Sequence, residues 1–309
     1  MARLALIGMS LLSLVGCDKV VEVASEPQLK RITYQSKTEQ VDRDYFVYLP
    51  KGYETAKDKK WPVMLFLHGN GERGDGNEQL GHVLKHGPLY EAWIQKKDLP
   101  FIIISPQLPM FGFDRVGIDY IDNRSNDSIP KRLPTGVPKR PAAFDVSGEL
   151  TGVPAVDMTQ ISPLFPMGWE QVEQDLLDML VQVKQSFNTD NSRVYITGLS
   201  YGGVGTWYMA SRHPELFAAM VPVVGWGHPS LMEPIAERQL PVWAFAGGRD
   251  SAVVVELFYH GLNRLEQLGH KDVRFTVHED MGHDAWTRVY SGDDVYTWLL
   301  SNELNSHNL

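Results

Sequence analysis

Residues 193–207 have the sequence RVYITGLSYGGVGTW, in which a short apolar segment leads to a serine between two glycines. Residues 194–197 are mostly β-branched or aromatic, which predicts a buried strand, and the residues after the serine predict a helix. Gly198, Ser200 and Gly202 fit the pattern G-x-S-x-G, in which the serine occupies a tight strand-to-helix turn and neighbouring backbones leave no room for side chains. The pattern predicts that Ser200 is a nucleophile; the alternative is a plain glycine-rich turn.

The composition indicates one large globular domain. The chain has 309 residues, of which 43% are hydrophobic and 22% are charged, and this is enough to bury a sizeable core. The net charge of −9 provides no basic surface, so nucleic acid is not an expected partner. Cys17 is the only cysteine of the chain, so no disulfide can form within it.

The first residues have the features of a targeting segment. Arg3 precedes an apolar run over residues 4–15, which is shorter than the roughly 20 residues that a membrane-spanning helix needs. The run has the length of the apolar region of a signal peptide. Residues 14–17, LVGC, resemble the bacterial lipobox, whose cysteine is lipidated and becomes the first residue of the mature protein.

We therefore expect a signal peptide at residues 1–16 and a lipidated tether at residues 17–28, anchored through Cys17. The rest of the chain, residues 29–309, is then a catalytic domain outside the cytoplasm, held at a membrane of the bacterial cell envelope. The alternatives are an ordinary cleaved signal peptide and an uncleaved N-terminal anchor.

Strand and helix patterns alternate along most of the chain. Strands are predicted from short apolar or alternating segments at residues 29–36, 43–50, 61–68, 100–107, 194–197, 218–225, 241–248 and 273–278. Helices are predicted at residues 79–96, 169–187, 206–212, 253–268 and 285–300. Alternating strands and helices indicate an α/β protein with a mostly parallel, doubly wound sheet and helices on both faces.

One long segment, residues 108–168, has neither a strand nor a helix period and is rich in proline. Segments of this length inside a compact domain tend to be functional or disordered. This one leaves the sheet at the carboxyl end of a strand, where open α/β sheets bind ligands. We expect an insertion that forms a lid or wall over the active site; the alternative is a disordered surface excursion.

A nucleophilic serine needs a general base, and the base needs a carboxylate that orients it. Asp250 lies just after the strand at residues 241–248, and His283 lies in a glycine-containing loop after the last strand. Their chain order with Ser200 is the order Ser, Asp, His of α/β-hydrolases. We therefore predict a triad of these three residues rather than one that uses the rival groups Asp272, Asp280, Asp284, His260 or His278.

An oxyanion intermediate needs two preorganised backbone donors. The residue after the nucleophile, Tyr201, is one candidate, and Asn70 in the glycine-rich loop after residues 61–68 is the other. The alternative for that loop is a mere tight turn. His82 and His86 lack the H-E-x-x-H spacing of a zinc site, so we expect neither a metal nor a cofactor.

Several further motifs carry a family resemblance: FLHGNGERGD at 66–75, KHGP at 85–88, SPQ at 105–107, TGLSYGG at 197–203, PVWAFAGGRD at 241–250 and GHDAW at 282–286. With these motifs, residues 43–300 resemble the bacterial esterases of the polyhydroxybutyrate-depolymerase-like or phospholipase/carboxylesterase-like type. The resemblance implies the α/β-hydrolase fold and a triad of Ser200, Asp250 and His283. Residues 108–168 depart from the family, which commonly has a short tryptophan-containing link there.

The expected activity is that of a serine hydrolase that cleaves a small-molecule or oligomeric carboxylic ester through an acyl-enzyme. One alternative is a serine peptidase of the prolyl-oligopeptidase-like type, since Tyr201 stands where many members of the esterase family have Met and a tyrosine also occurs there in those peptidases. Nothing in the sequence resembles their propeller domain, however. The other alternative is a non-catalytic binding lipoprotein, which would normally lack a triad residue, whereas this chain has all three.

Overall fold

A computed structural model describes residues 25–125, 131–133 and 157–304. The predicted signal peptide and Cys17 lie outside these residues, as does the middle of the predicted insertion at residues 108–168. Within the described residues, no helix combines the length and apolar character that a membrane span requires.

A single eight-stranded sheet organises the described part of the chain. Its strands are β1 (Gln28–Gln35), β2 (Asp42–Leu49), β3 (Trp61–Leu67), β4 (Ile102–Ser105), β5 (Thr189–Leu199), β6 (Ala219–Val223), β7 (Val242–Gly247) and β8 (Val273–His278). The strand order is β1-β2-β4-β3-β5-β6-β7-β8. Only β2 runs against its neighbours, and all other adjacent pairs are parallel. The predicted mostly parallel sheet is confirmed.

The α-helices of the described residues lie mainly between and after the strands. They are α1 (Gly87–Leu89), α2 (Asp119–Asp122), α3 (Glu173–Ser186), α4 (Tyr201–Arg212), α5 (Met232–Arg238), α6 (Glu256–Gln267), α7 (Trp286–Ser291) and α8 (Asp294–Leu300). Short 3₁₀ helices at Asn70–Glu72 and Leu80–Leu84 follow β3.

The single helix predicted at residues 79–96 is wrong. The chain forms the 3₁₀ helix Leu80–Leu84, then α1, then a π-helical turn at Tyr90–Ile94. Gly87 has a φ of +85°, and a Cβ there would lie 2.1 Å from the Phe66 ring. Gly87 also precedes Pro88, and the residue before a proline avoids the helical backbone conformation. The helix that begins at Leu80 therefore cannot continue through Gly87.

The apolar core has two halves, one on each face of the sheet. Alternate residues of β3 face opposite ways: Val63 packs into one half and Met64 into the other. The first half also contains Trp207 of α4, and the second contains Tyr290 of α7. The helices therefore cover both faces, as predicted. The carboxyl ends of β3, β5, β7 and β8 lie at one edge of the sheet, and the loops that leave them contain the predicted site residues.

Candidate active site

The turn between β5 and α4 holds Ser200 in a strained conformation. Its φ is 54° and its ψ is −117°, a region that non-glycine residues rarely adopt. Both flanking glycines are required by close backbone approach. A Cβ on Gly202 would lie 1.8 Å from the carbonyl oxygen of Leu67, and one on Gly198 would lie 2.2 Å from that of Gly202. The local sequence thus permits a turn that side chains would forbid.

The structure brings the three predicted triad residues together. His283 Nε2 lies 3.0 Å from Ser200 Oγ, and His283 Nδ1 lies 2.7 Å from Asp250 Oδ2. Asp250 is completely buried. Its other oxygen, Oδ1, accepts hydrogen bonds of 2.8 Å from the backbone amides of Ala252 and Val253. Because a carboxylate faces Nδ1, the imidazole proton belongs on that nitrogen, which leaves Nε2 free to take the serine proton.

Asp280, Asp272 and His278, three of the rival groups, have other surroundings. Asp280 accepts two hydrogen bonds from Arg288, at 2.7 and 2.6 Å. Asp272 lies 3.7 Å from Arg274 and precedes β8. His278 belongs to β8 itself. Of the candidates in the sequence, the chain places Asp250 against His283 and His283 against the nucleophile.

The two predicted oxyanion donors stand at suitable positions beside Ser200. Tyr201 is the first residue of α4, and Asn70 is the first residue of the 3₁₀ helix after β3. The first amides of a helix have no partner within it. Both residues line the same cavity as Ser200. Their role in binding an oxyanion stays a prediction.

The side chain of Asn70 is fixed on both sides. Its Oδ1 accepts a hydrogen bond of 2.5 Å from Arg73 Nε, and its Nδ2 donates to the hydroxyl of Tyr120 at 2.8 Å. Tyr120 belongs to α2, within the predicted insertion. The loop that would supply one oxyanion donor is therefore held in part by the insertion.

Arg73 connects the same loop to both ends of the insertion. Its guanidinium is fully buried and donates hydrogen bonds of 2.8 Å to the carbonyls of Pro109 and Met167. Burial lowers the pKa of Arg73 to about 10. The guanidinium also lies 5.0 Å from the centre of the Tyr201 ring and 4.4 Å from that of Phe113. Arg73 is not among the site residues predicted from the sequence, where its only signal is a charge in a glycine-rich loop.

His68, at the end of β3, is a buried neutral imidazole. Burial lowers its pKa to about 3. Its Nδ1 donates to the carbonyl of Gly69 at 2.6 Å, and its Nε2 accepts from the amide of Leu108 at 2.9 Å. A protonated ring has no acceptor nitrogen, so neutrality is required for the second bond. His68 therefore joins the loop after β3 to the first residue of the insertion.

The triad opens into a cavity of about 590 Å³. One part of its wall is aromatic and includes Tyr120, Phe165 and Tyr201. Another part is polar and contains Glu72, Lys85, His86 and Trp286. His86, which lacks the sequence spacing of a zinc ligand, lies in this wall. Among the described residues, no cluster of three or more His, Cys, Asp or Glu side chains could hold a metal ion.

Comparisons with known proteins agree with this architecture. The prolyl oligopeptidase family model matches residues 169–232. A poly(3-hydroxyalkanoate) depolymerase C of Paucimonas lemoignei is 43% identical over 47 residues, which are 15% of this chain and 11% of that protein. Among solved structures, a thermostable esterase has a TM-score of 0.60 and 25% identity, covering 89% of this chain and 63% of that one.

A more distant neighbour is the S-formylglutathione hydrolase of Staphylococcus aureus. It has a TM-score of 0.54 and 14% identity, covering 89% of this chain and 97% of that one. The chain thus spans about a tenth of the depolymerase and less than two thirds of the thermostable esterase. Together with the strand order, these matches show the α/β-hydrolase fold, and they support a serine hydrolase.

Proposed function

We propose that this protein is a serine hydrolase that cleaves carboxylic esters through an acyl-enzyme formed on Ser200. The observation that carries the proposal is the continuous hydrogen-bonded chain from Ser200 Oγ through His283 to Asp250. Ser200, at one end of this series of hydrogen bonds, lines a cavity large enough for a small ester. The esterase and the depolymerase among the similar proteins add support for an ester substrate.

In the first step, Ser200 Oγ attacks the ester carbonyl carbon while His283 Nε2 takes the hydroxyl proton. Asp250 stabilises the imidazolium through its 2.7 Å contact with Nδ1. The negative charge on the carbonyl oxygen is met by the amides of Asn70 and Tyr201. The bond to the alcohol then breaks, and His283 returns the proton to the leaving oxygen.

In the second step, water replaces the alcohol at the same carbon. His283 takes a proton from the water, the resulting hydroxide attacks the acyl carbon, and the bond to Ser200 Oγ breaks. The free acid leaves and the serine regains its proton. The chemistry uses side chains and backbone groups of the chain, and the proposal includes neither a metal nor a cofactor.

The match to the prolyl oligopeptidase family model over residues 169–232 favours a second candidate, a serine peptidase. A substrate panel separates the two. We expect the full chain to hydrolyse p-nitrophenyl acetate, longer p-nitrophenyl esters and hydroxycinnamoyl esters, and to leave aminoacyl and dipeptidyl p-nitroanilides intact. Faster cleavage of an anilide than of every ester would favour the peptidase. A chain that cleaves none of them, with Ser200, Asp250 and His283 intact, would be a binding protein.

The insertion at residues 108–168 is proposed to form a wall of the active site. Two of its described residues support this proposal, because Tyr120 and Phe165 both line the cavity. The Phe165 ring centre lies 4.8 Å from that of Tyr201 and 6.1 Å from that of Trp226. Changes in this wall are expected to alter which esters fit.

We also propose that Cys17 is lipidated and that the enzyme acts at a membrane of the bacterial cell envelope. The support for this proposal is the sequence LVGC after the apolar run at residues 4–15. The sheet of the described residues begins with Gln28, so the intervening residues would form a short tether.

A further inference from the structure

One wall of the active-site cavity contains a carboxylate that receives no hydrogen bond from the part of the chain that the structure describes. Glu72 is only 5% exposed, yet it lines the cavity that contains Ser200. Its nearest basic atoms are His86 Nε2 at 3.6 Å and His68 Nδ1 at 3.9 Å, which are beyond hydrogen-bond distance. Among the residues that the structure describes, none donates a hydrogen bond to this carboxylate. A carboxylate that lines a cavity and has no protein donor can accept a hydrogen bond from a bound molecule.

The position of Glu72 relative to the triad shows which part of an ester would meet it. The His283 ring centre lies 5.2 Å from that of Trp286, and Trp286 lies 5.4 Å from His86. His86 in turn lies beside Glu72. The leaving oxygen must approach His283 Nε2 to be protonated. An alcohol attached to that oxygen would then reach the wall that adjoins His283.

The charges on this wall favour a neutral partner over a cation. The charged groups that act on this wall are balanced, since Glu72 and Asp284 are acidic and Lys85 and Arg124 are basic. Burial lowers the pKa of Lys85, and Glu72 raises it, so the two groups interact. Burial also lowers the pKa of His86, which favours its neutral form. A neutral hydroxyl can donate to Glu72, and a second hydroxyl can accept from Lys85.

The same wall also contains a buried polar group without a partner. The indole N–H of Trp286 is buried and has no acceptor among the described residues. A second cavity of about 170 Å³ shares Lys85, His86 and Trp286 with the first, so the wall has space on both sides. Buried groups without partners commonly mark the place of a water or ligand.

We propose that Glu72, with Lys85 and His86, forms a subsite that binds a hydroxyl-bearing alcohol, such as a polyol, on the leaving-group side of the ester. The inference rests on the proposed ester hydrolysis and adds the class of alcohol to it. Glu72 accepts a hydrogen bond from one hydroxyl of the alcohol, and Trp286 and His86 flank its carbon skeleton. A leaving group without hydroxyls leaves the carboxylate without a donor.

The test compares two esters with the same acyl group and the same number of alcohol carbons: 1-monobutyrylglycerol and propyl butyrate. The readout is the ratio of their kcat/KM values for the full chain, measured by titration of the released acid. We expect the wild-type ratio to exceed about 10, since hydrogen bonds to charged groups are worth roughly 10- to 100-fold. Glu72→Leu should lower this ratio at least about tenfold, and Glu72→Gln, which keeps an acceptor, should lower it less.

The control removes a carboxylate elsewhere. Glu237 is exposed on α5, so Glu237→Gln and Glu237→Leu should keep the wild-type ratio. If Glu72→Leu lowers the hydrolysis of 1-monobutyrylglycerol and of propyl butyrate by the same factor, Glu72 only supports the loop. This result would overturn the subsite but not the proposed function. So would a wild-type ratio near one, or a Glu72-dependent preference for butyrylcholine, whose leaving group is cationic. Hydrolysis of none of the esters would overturn the proposed function as well.

Discussion

Arg73 Nε donates a hydrogen bond of 2.5 Å to Asn70 Oδ1, so the residue proposed to bind the oxyanion is held by a buried guanidinium. The same guanidinium bonds to carbonyls at both ends of the insertion. Arg73 therefore contacts the loop after β3, the two described ends of the insertion, and the ring of Tyr201 next to the nucleophile. The position of Asn70 is therefore fixed by a side chain that is not among those lining the cavity.

Arg73→Lys is expected to lower both stability and kcat. Lysine keeps the charge but cannot make the three directed bonds of the guanidinium, and a buried charge with fewer partners costs about 2–4 kcal/mol. Loss of loop geometry should lower kcat roughly tenfold or more, as expected for a weakened oxyanion donor. Urea unfolding and steady-state kinetics measure the two effects.

Arg115→Lys is the matched control for this prediction, because the Arg115 side chain is 85% exposed in the same insertion. It should change neither quantity appreciably. An Arg73→Lys variant with wild-type kcat would show that the loop keeps its shape without the guanidinium, and would contradict the positioning role.

The proximity of Ser200, Asp250 and His283 could be predicted from the sequence because each residue follows a recognisable strand. Ser200 has its glycines, and Asp250 and His283 lie in the loops after β7 and β8. The contacts that hold the loop after β3 in place could not be predicted in the same way. Arg73 and Asn70 contact residues more than 30 positions away, along an insertion that has no period. The prediction of one helix at residues 79–96 was wrong because it could not include the tight packing of Gly87 against Phe66, which is a tertiary contact.

Glu91 should make stability fall as the pH rises. Burial raises its pKa from 4.5 to about 7, while the charge of Lys97 acts in the opposite direction. The folded state therefore binds a proton more tightly than the unfolded state does. The resulting stabilisation is complete below about pH 4.5 and is lost as the pH rises through about 7.

Glu91→Gln should remove this dependence. Relative to the wild type, the variant should gain about 2–3 kcal/mol between pH 5 and pH 8, measured by urea unfolding at both values. Glu233→Gln, on an exposed face of α5, is the control and should show no such gain. Parallel stability profiles for wild type and Glu91→Gln would refute the assignment.

Phe165→Ala should change the ranking of ester substrates. The ring forms part of the cavity wall beside Tyr201, so its removal enlarges the space next to the nucleophile. We expect kcat/KM for bulky p-nitrophenyl esters to rise several-fold relative to the acetate. Tyr259→Ala, which removes a ring that is 45% exposed on α6, serves as the comparison. If a folded Phe165→Ala variant ranks the esters as the wild type does, Phe165 has no part in selecting the substrate.

Cys17 should accept a lipid in a bacterial host. Metabolic labelling with an alkyne fatty acid should tag the wild-type chain, and the tagged protein should fractionate with membranes. Cys17→Ser should lose the tag, because this is the only cysteine of the chain. Equal tagging of Cys17→Ser would contradict lipidation at this residue. Membrane fractionation of the same variant shows whether the apolar run at residues 4–15 alone holds the protein at the membrane.

Ser200 should become covalently modified with the help of His283. A fluorophosphonate probe should label the wild-type chain and add one probe mass, located by peptide mapping at Ser200. Ser200→Ala should not be labelled. His283→Ala should be labelled on the order of 10³-fold more slowly, since the general base is lost. Labelling of Ser200→Ala at the wild-type rate, or mapping of the probe to another residue, would show that Ser200 is not the nucleophile.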